Sequence, residues 1–168
     1  MPAPLDPAGM FATLADHGVD YVLIGGLAAV IRGSTAMTND ADIVPARNPE
    51  NLNRLSDALG TLQARLRADT DPDGIPFDAH PALLAQMTTV NLTTRCGDLD
   101  IAFAPTGIDG GYEELEPACN TYELYGHRVK IASLDHIIRS KEAADRPKDR
   151  AVLPILYALQ EELAEGET

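Results

Sequence analysis

Hydrophobic positions recur at two different periods along this chain, and the switches between them mark its elements. Over residues 9–18, Met10, Phe11, Leu14 and Ala15 share one face of a helix that stops at Gly18. Residues 20–24 form a short, apolar, β-rich run ending at Gly25-Gly26, and Leu27 to Ile31 then predicts a buried helix. Residues 40–44 alternate as a second strand closed by Pro45. An amphipathic helix over 49–67 follows, with Leu52, Leu55, Leu59, Leu62 and Leu66 as its apolar stripe. Residues 69–74 are polar and predict a loop. Residues 87–94 and 99–103 predict a hairpin meeting at Cys96-Gly97, and 105–119 predict a loop with a short helical turn. A second strand pair, 121–124 with 128–131, turns at Gly126-His127. Ser133 can cap a helix running to about Ala144, and a last helix after Arg146-Pro147 uses Val152, Leu153, Leu156, Leu159 and Leu163. This order predicts an α+β fold, a mixed β-sheet flanked by helices with further helices at the C-terminus. Without a repeat or linker, it reads as a single domain over 1–168, with a core at about 20–132 and a helical part at about 133–164.

Composition narrows the setting. With 45% hydrophobic and 23% charged residues the chain is globular rather than disordered. No run approaches the roughly 20 apolar residues that span a bilayer, and the start MPAPLDPAGMF lacks the basic and apolar regions of a secretion signal. A cytoplasmic protein without a membrane partner is the expectation. Cys96 and Cys119 are too few and too far apart for a disulfide framework or a zinc site, and are expected as free thiols. The net charge of −13, part of it an acidic tail over 161–167, argues against a broad phosphate-tracking surface. A local phosphate site remains compatible with it, because carboxylates that bind metal add to the formal negative charge.

The candidate chemistry lies in the strands. Residues two apart on a strand share a face, so Asp40 and Asp42 point together while Ala41 and Ile43 turn to the core. Asp98-Leu99-Asp100-Ile101 repeats the alternation on a later strand, and either of its acids would add a third carboxylate if the strands are neighbours. Such a cluster repels itself unless a cation neutralises it or a proton is shared. Mg²⁺, or Mn²⁺, suits hard oxygen ligands and keeps positions open for substrate phosphates. Gly25-Gly26, between strand and helix, permits close approach of a triphosphate to main-chain N–H groups. His17, His80, His127 and His136 show no metal-ligand spacing.

The order of these parts, VLIGGLAAVIRGSTAMTNDADIV followed by Leu99-Asp100-Ile101, resembles the minimal nucleotidyltransferase (DNA-polymerase-β-like) superfamily. With Leu134 to Lys141 on a later helix, then Arg146-Pro147-Lys148-Asp149, the chain looks more closely like the AbiEii/MenT-like nucleotidyltransferase toxins of toxin–antitoxin pairs, across roughly residues 20–157. The resemblance implies a nucleotidyltransferase-like fold. Asp40, Asp42 and Asp100 would be metal ligands, with Asp100 preferred to Asp98 because Leu99 and Ile101 bracket it. It further implies nucleotide binding by Gly25, Gly26, Thr38 and Lys141, with Asp149 supporting Lys141 or the acceptor. The implied reaction moves NMP from an NTP to a hydroxyl, foremost the 3′ end of tRNA, in an enzyme neutralised by a cognate antitoxin. Arg139, Lys141, Arg146, Lys148 and Arg150 form the basic cluster available to such an acceptor. Relatives usually show G-x-x-R-x-T-x-D-x-D; here Gly33 and Thr38 are retained but the arginine position is Ala36, with Arg32 as a displaced alternative. AMPylation of a protein, modification of a small molecule such as an aminoglycoside, and a non-catalytic nucleotide-binding or antitoxin subunit are the competing readings.

Overall fold

The computed structural model describes residues 2–166. Its elements run α1 (Pro7–Asp16), β1 (Tyr21–Ile24), α2 (Gly25–Ile31), β2 (Asp40–Pro45), α3 (Pro49–Thr61), β3 (Arg65–Ala68), β4 (Asp71–Pro76), α4 (Pro81–Leu84), β5 (Thr89–Thr94) and β6 (Gly97–Ala102). Then come α5 (Tyr112–Leu115) with a 3-10 turn (Glu116–Ala118), β7 (Asn120–Leu124), β8 (His127–Ile131), α6 (Leu134–Ala144) and α7 (Pro147–Gly166). All eight strands join one sheet in the order β4-β3-β5-β6-β2-β1-β8-β7. The β2/β6 and β1/β8 pairs are parallel and the others antiparallel, so the expected mixed sheet with flanking and C-terminal helices is what the chain builds.

Alternation decides the two faces at the centre of the sheet. Ala41, Ile43, Leu99 and Ile101 are buried among Met10, Phe11, Leu14, Leu55 and Leu59, which belong to α1 and α3. Asp6 caps α1 by accepting from the Gly9 N–H, Asn48 caps α3 and Ser133 caps α6, each side-chain oxygen satisfying a first-turn donor. Fully buried Asn51 ties α3 to the entry of β1: its Oδ1 accepts from Asp20 N at 2.7 Å and its Nδ2 donates to Asp20 O at 2.8 Å and Ala46 O at 2.7 Å.

The helix expected over 49–67 stops at Thr61. Leu62 N–H closes on Ala58 O and Gln63 N–H on Gly60 O, and Gln63 reverses the chain with φ 55°. Leu66 therefore leaves the helical stripe and joins β3, where it pairs with Leu92 of β5. The expected loop over 69–74 is largely β4, folded back on β3. Leucine spacing carried the helical pattern past the true end, and pairing with β5 overrode it. The first strand of the central hairpin starts at Thr89, two residues later than expected, after the short helix α4. The acidic tail was expected to reach residue 167, which lies outside the described residues; its described part continues α7 to Gly166. Among the described residues no helix is long and apolar enough to cross a membrane.

Candidate active site

The parallel register of β2 and β6 sets Asp40 beside Asp98 and Asp42 beside Asp100, four acids on one face of the sheet. Side-chain oxygens of Asp40, Asp42 and Asp100 lie within 4.8 Å of one another. Asp98 stays outside this group, its Oδ2 3.3 Å from Arg67 Nε. Burial, with the charges of Asp40 and Asp100, pushes the Asp42 carboxyl up to about 7, against the opposing pull of Lys141 and Lys148. Burial also raises Asp100, to about 6, with Arg67 opposing and Asp40 adding to the rise. Uncompensated negative charge concentrated on hard oxygen donors fits a divalent cation of the Mg²⁺ type.

The glycine pair shapes the floor beside this cluster. Rather than forming a turn before α2, Gly25 and Gly26 are its first two residues. A Cβ on Gly25 would stand 2.3 Å from Asp42 Oδ2, and the residue has φ +77°; a Cβ on Gly26 would stand 2.9 Å from Thr38 Oγ1. The glycines therefore leave room for Asp42 and Thr38 as well as for any ligand. Thr38 Oγ1 donates to Asp40, at 3.2 Å to its carbonyl oxygen and 3.3 Å to Oδ1, tying the loop before β2 to the acid cluster.

Helices α6 and α7 form the opposite wall. Lys141 is largely buried, with Nζ 3.7 Å from Asp149 Oδ1. Asp149 has no exposed surface; it accepts from Arg146 N at 3.1 Å, Nε at 2.7 Å and Nη2 at 3.1 Å. Burial alone would raise this carboxyl, but the Arg146 hydrogen bonds and the Arg146 and Lys141 charges hold it below the usual range. The cleft between the walls has a volume of about 630 Å³ and is lined by Gly25, Gly26, Asp42, Asp100, Lys141 and Lys148, among others. Asp149 pairs with two of its lining cations, Lys141 and Arg146.

No family model matches the chain, and no curated protein matches it in sequence. Among solved structures, the lincosamide antibiotic adenylyltransferase LnuA in its lincomycin-bound form is similar at a TM-score of 0.59 and 13% identity, over 93% of this chain and 99% of that one. ANT(2″)-Ia in complex with adenylyl-2″-tobramycin is similar at 0.53 and 15% identity, over 95% of each chain. The fold is that of nucleotidyltransferases. At these identities the likeness concerns the nucleotidyltransferase fold.

Within that nucleotidyltransferase fold, Arg32 is spoken for elsewhere. It donates to Ala132 O at 2.8 Å, Ile131 O at 3.1 Å and Asn120 Oδ1 at 2.9 Å, and its guanidinium lies over the Tyr122 ring, so it does not replace the arginine absent at Ala36. The basic cluster is mostly neutralised internally: Arg139 pairs with Glu114, Arg150 with Asp145, and Lys141 and Arg146 with Asp149. Lys148 is exposed at the cleft and forms none of the ion pairs found among the described residues. Cys96 and Cys119 are free thiols, and His80 caps α4 by accepting from Ala82 N–H at 3.1 Å.

Two residues at the site escape a reading of the sequence. Arg67 was assigned to a helix end and Asn91 had no assigned role; Arg67 contacts two of the acids, and Asn91 pairs with Asp100 and lines the cleft. The alternation Arg65-Leu66-Arg67-Ala68, just after Gly60-Thr61, was the available signal for a strand.

Proposed function

We propose that this chain is a metal-dependent nucleotidyltransferase that moves NMP from an NTP to an acceptor hydroxyl. The observation that carries this reading is the convergence of Asp40, Asp42 and Asp100 from two parallel strands, with Asp42 and Asp100 raised by burial and by the charge of neighbouring carboxylates, Asp40 above all. Those three carboxylates would hold Mg²⁺ or Mn²⁺, which neutralises charge on the triphosphate and lowers the pKa of the acceptor hydroxyl when bound. Gly25 and Gly26 leave space for the phosphates, Lys141 faces them from α6, and Thr38 steadies Asp40. Asp149 pairs with Lys141 and orients it. The acceptor oxygen attacks the α-phosphorus, the bond to the β-phosphate oxygen breaks, pyrophosphate leaves, and the hydroxyl proton passes to Asp100.

For the acceptor, the internal pairing of the basic cluster favours a compact hydroxylated molecule over a long polyanion. The similarity to antibiotic adenylyltransferases agrees with that choice. A second reading, the tRNA 3′ end acted on by a cytoplasmic toxin that a cognate antitoxin neutralises, is supported by Lys141, Arg146 and Lys148 all lining the same cleft as the acids.

The test incubates purified protein with Mg²⁺ and each α-³²P-labelled NTP, offering total bacterial RNA, an aminoglycoside or a lincosamide, beside Asp42→Asn. Label on a small molecule, dependent on Asp42, establishes the compact acceptor. Label on tRNA-sized bands establishes the second reading instead. Nucleotide binding without transfer to any acceptor, including the protein itself, would overturn the enzyme and leave a binding subunit.

A further inference from the structure

Of the three clustered acids, Asp100 alone is tethered by a cation from outside the cleft walls. The guanidinium of Arg67, on β3, makes two ion pairs, Nη2 2.8 Å from Asp100 Oδ1 and Nε 3.3 Å from Asp98 Oδ2, and Nη2 donates a hydrogen bond to Leu92 O at 2.9 Å. The group is thus fixed to β5 and β6 at three points although its side chain is one-third exposed. On a strand Asp100 has ordinary rotamer freedom, and the neighbouring anions of Asp40 and Asp42 favour its turning away from them.

We propose that Arg67 is a positioning residue for the acid cluster: by holding one oxygen of Asp100, it keeps the other turned toward Asp40 and Asp42 before any divalent cation arrives. This rests on the metal-dependent reading above. A guanidinium also repels an incoming cation, and the two effects have opposite signs. Asp98 decides between them. Because Arg67 shares its charge with Asp98, the pair is close to neutral as a unit and the repulsion is largely cancelled. Orientation is what remains. Ligating carboxylates depend in this way on the partners that orient them, with losses on the order of 10–100-fold in metal affinity when a partner is removed.

The experiment titrates the full chain, without nucleotide, with Mn²⁺ and follows free ion by electron paramagnetic resonance. Asp42→Asn tests the metal site itself, and Arg67→Gln and Arg67→Lys test the tether. Arg65→Gln controls for damage to the β3/β4 hairpin, because Arg65 donates within that hairpin to Asp73 O and Gly74 O. Cooperative thermal unfolding of each variant checks the fold. The expected result is Mn²⁺ binding lost in Asp42→Asn, weakened about tenfold in Arg67→Gln, weakened also in Arg67→Lys, whose single ammonium cannot span the three oxygens, and unchanged in Arg65→Gln. Equal or tighter binding by Arg67→Gln, or equal weakening by Arg65→Gln, overturns the positioning role while leaving the metal site intact. Absence of Mn²⁺ binding by the unsubstituted protein removes the metal reading and this inference together.

Discussion

Replacing Asp42 with Asn should stabilise the metal-free protein at neutral pH while abolishing nucleotidyl transfer. The folded-state carboxyl titrates near 7 against an ordinary 3.8, so between those values the folded chain holds a proton that the unfolded chain has released. Stability contributed by this group is fully present below the unfolded pKa, declines as pH rises from about 4, and is gone above the folded value. The whole rise corresponds to a ceiling of about 4 kcal/mol. The attraction of Lys141 and Lys148 is already counted in that net rise, but part of the rise is not recovered in the variant, because an Asn amide reproduces the hydrogen bonding of a neutral carboxyl only in part. An advantage of about 2–3 kcal/mol at pH 8 is expected, shrinking toward zero near pH 4. Urea denaturation of both proteins in EDTA at the two pH values measures the difference directly. Saturating Mg²⁺ should stabilise the unsubstituted protein and not the variant. A stability difference that is the same at pH 4 and pH 8 would refute the claim that Asp42 is held in an electrostatically hostile place.

The remaining predictions probe packing and the cleft. Asn51→Ala removes three hydrogen bonds and takes that partner from Asp20 N and Ala46 O, while Asp20 O keeps its bond from Ala46 N–H, so denaturant unfolding should show a loss of about 2–3 kcal/mol with kcat unchanged well below the midpoint. Gly25→Ala forces a Cβ onto Asp42 Oδ2 at a positive φ, and should abolish transfer and Mn²⁺ binding while circular dichroism remains that of the folded protein. Lys148→Ala removes an exposed cleft cation that forms none of the ion pairs found among the described residues. Its loss should raise KM for NTP by about tenfold, as for a charged hydrogen bond worth about 1.5–3 kcal/mol; an unchanged KM would remove Lys148 from phosphate binding. Asp149→Ala strands Lys141 and Arg146 without their buried partner and should cost about 3–5 kcal/mol by thermal or urea unfolding.

What the sequence made legible is local in origin. The 2.0 period of Asp40, Asp42, Asp98 and Asp100 shows which acids share a face, because the strand itself enforces that alternation. That Asp100 rather than Asp98 meets Asp40 and Asp42 depends on the stagger between β2 and β6, which no single strand encodes. Bracketing by Leu99 and Ile101 does not distinguish them physically, since Asp98 is bracketed by Gly97 and Leu99 on the same strand; the resemblance supplied the preference. The cap at Ser133 was readable for the same local reason as the alternation.

The part that was not readable is the β3/β4 hairpin, and its concealment has one physical source. Leu55, Leu59, Leu62 and Leu66 keep helical spacing across a boundary at which the chain turns. Leu62 is buried whether the helix continues or ends there, and Leu66 can face the core from a strand as well as from a helix. Leucine spacing fits both outcomes and the four-residue alternation Arg65-Leu66-Arg67-Ala68 is too short to override it; the reversal at Gln63 and the partner strand β5 decide. The error matters beyond secondary structure, because a helix ending at residue 67 would carry Arg67 away from the acids, whereas the strand presents it to Asp98 and Asp100. On the proposed reading, an acidic chain assembles its site from charges that are individually unfavourable: three clustered carboxylates for a divalent cation, and Asp98 sharing with Asp100 the guanidinium that would hold Asp100 in place.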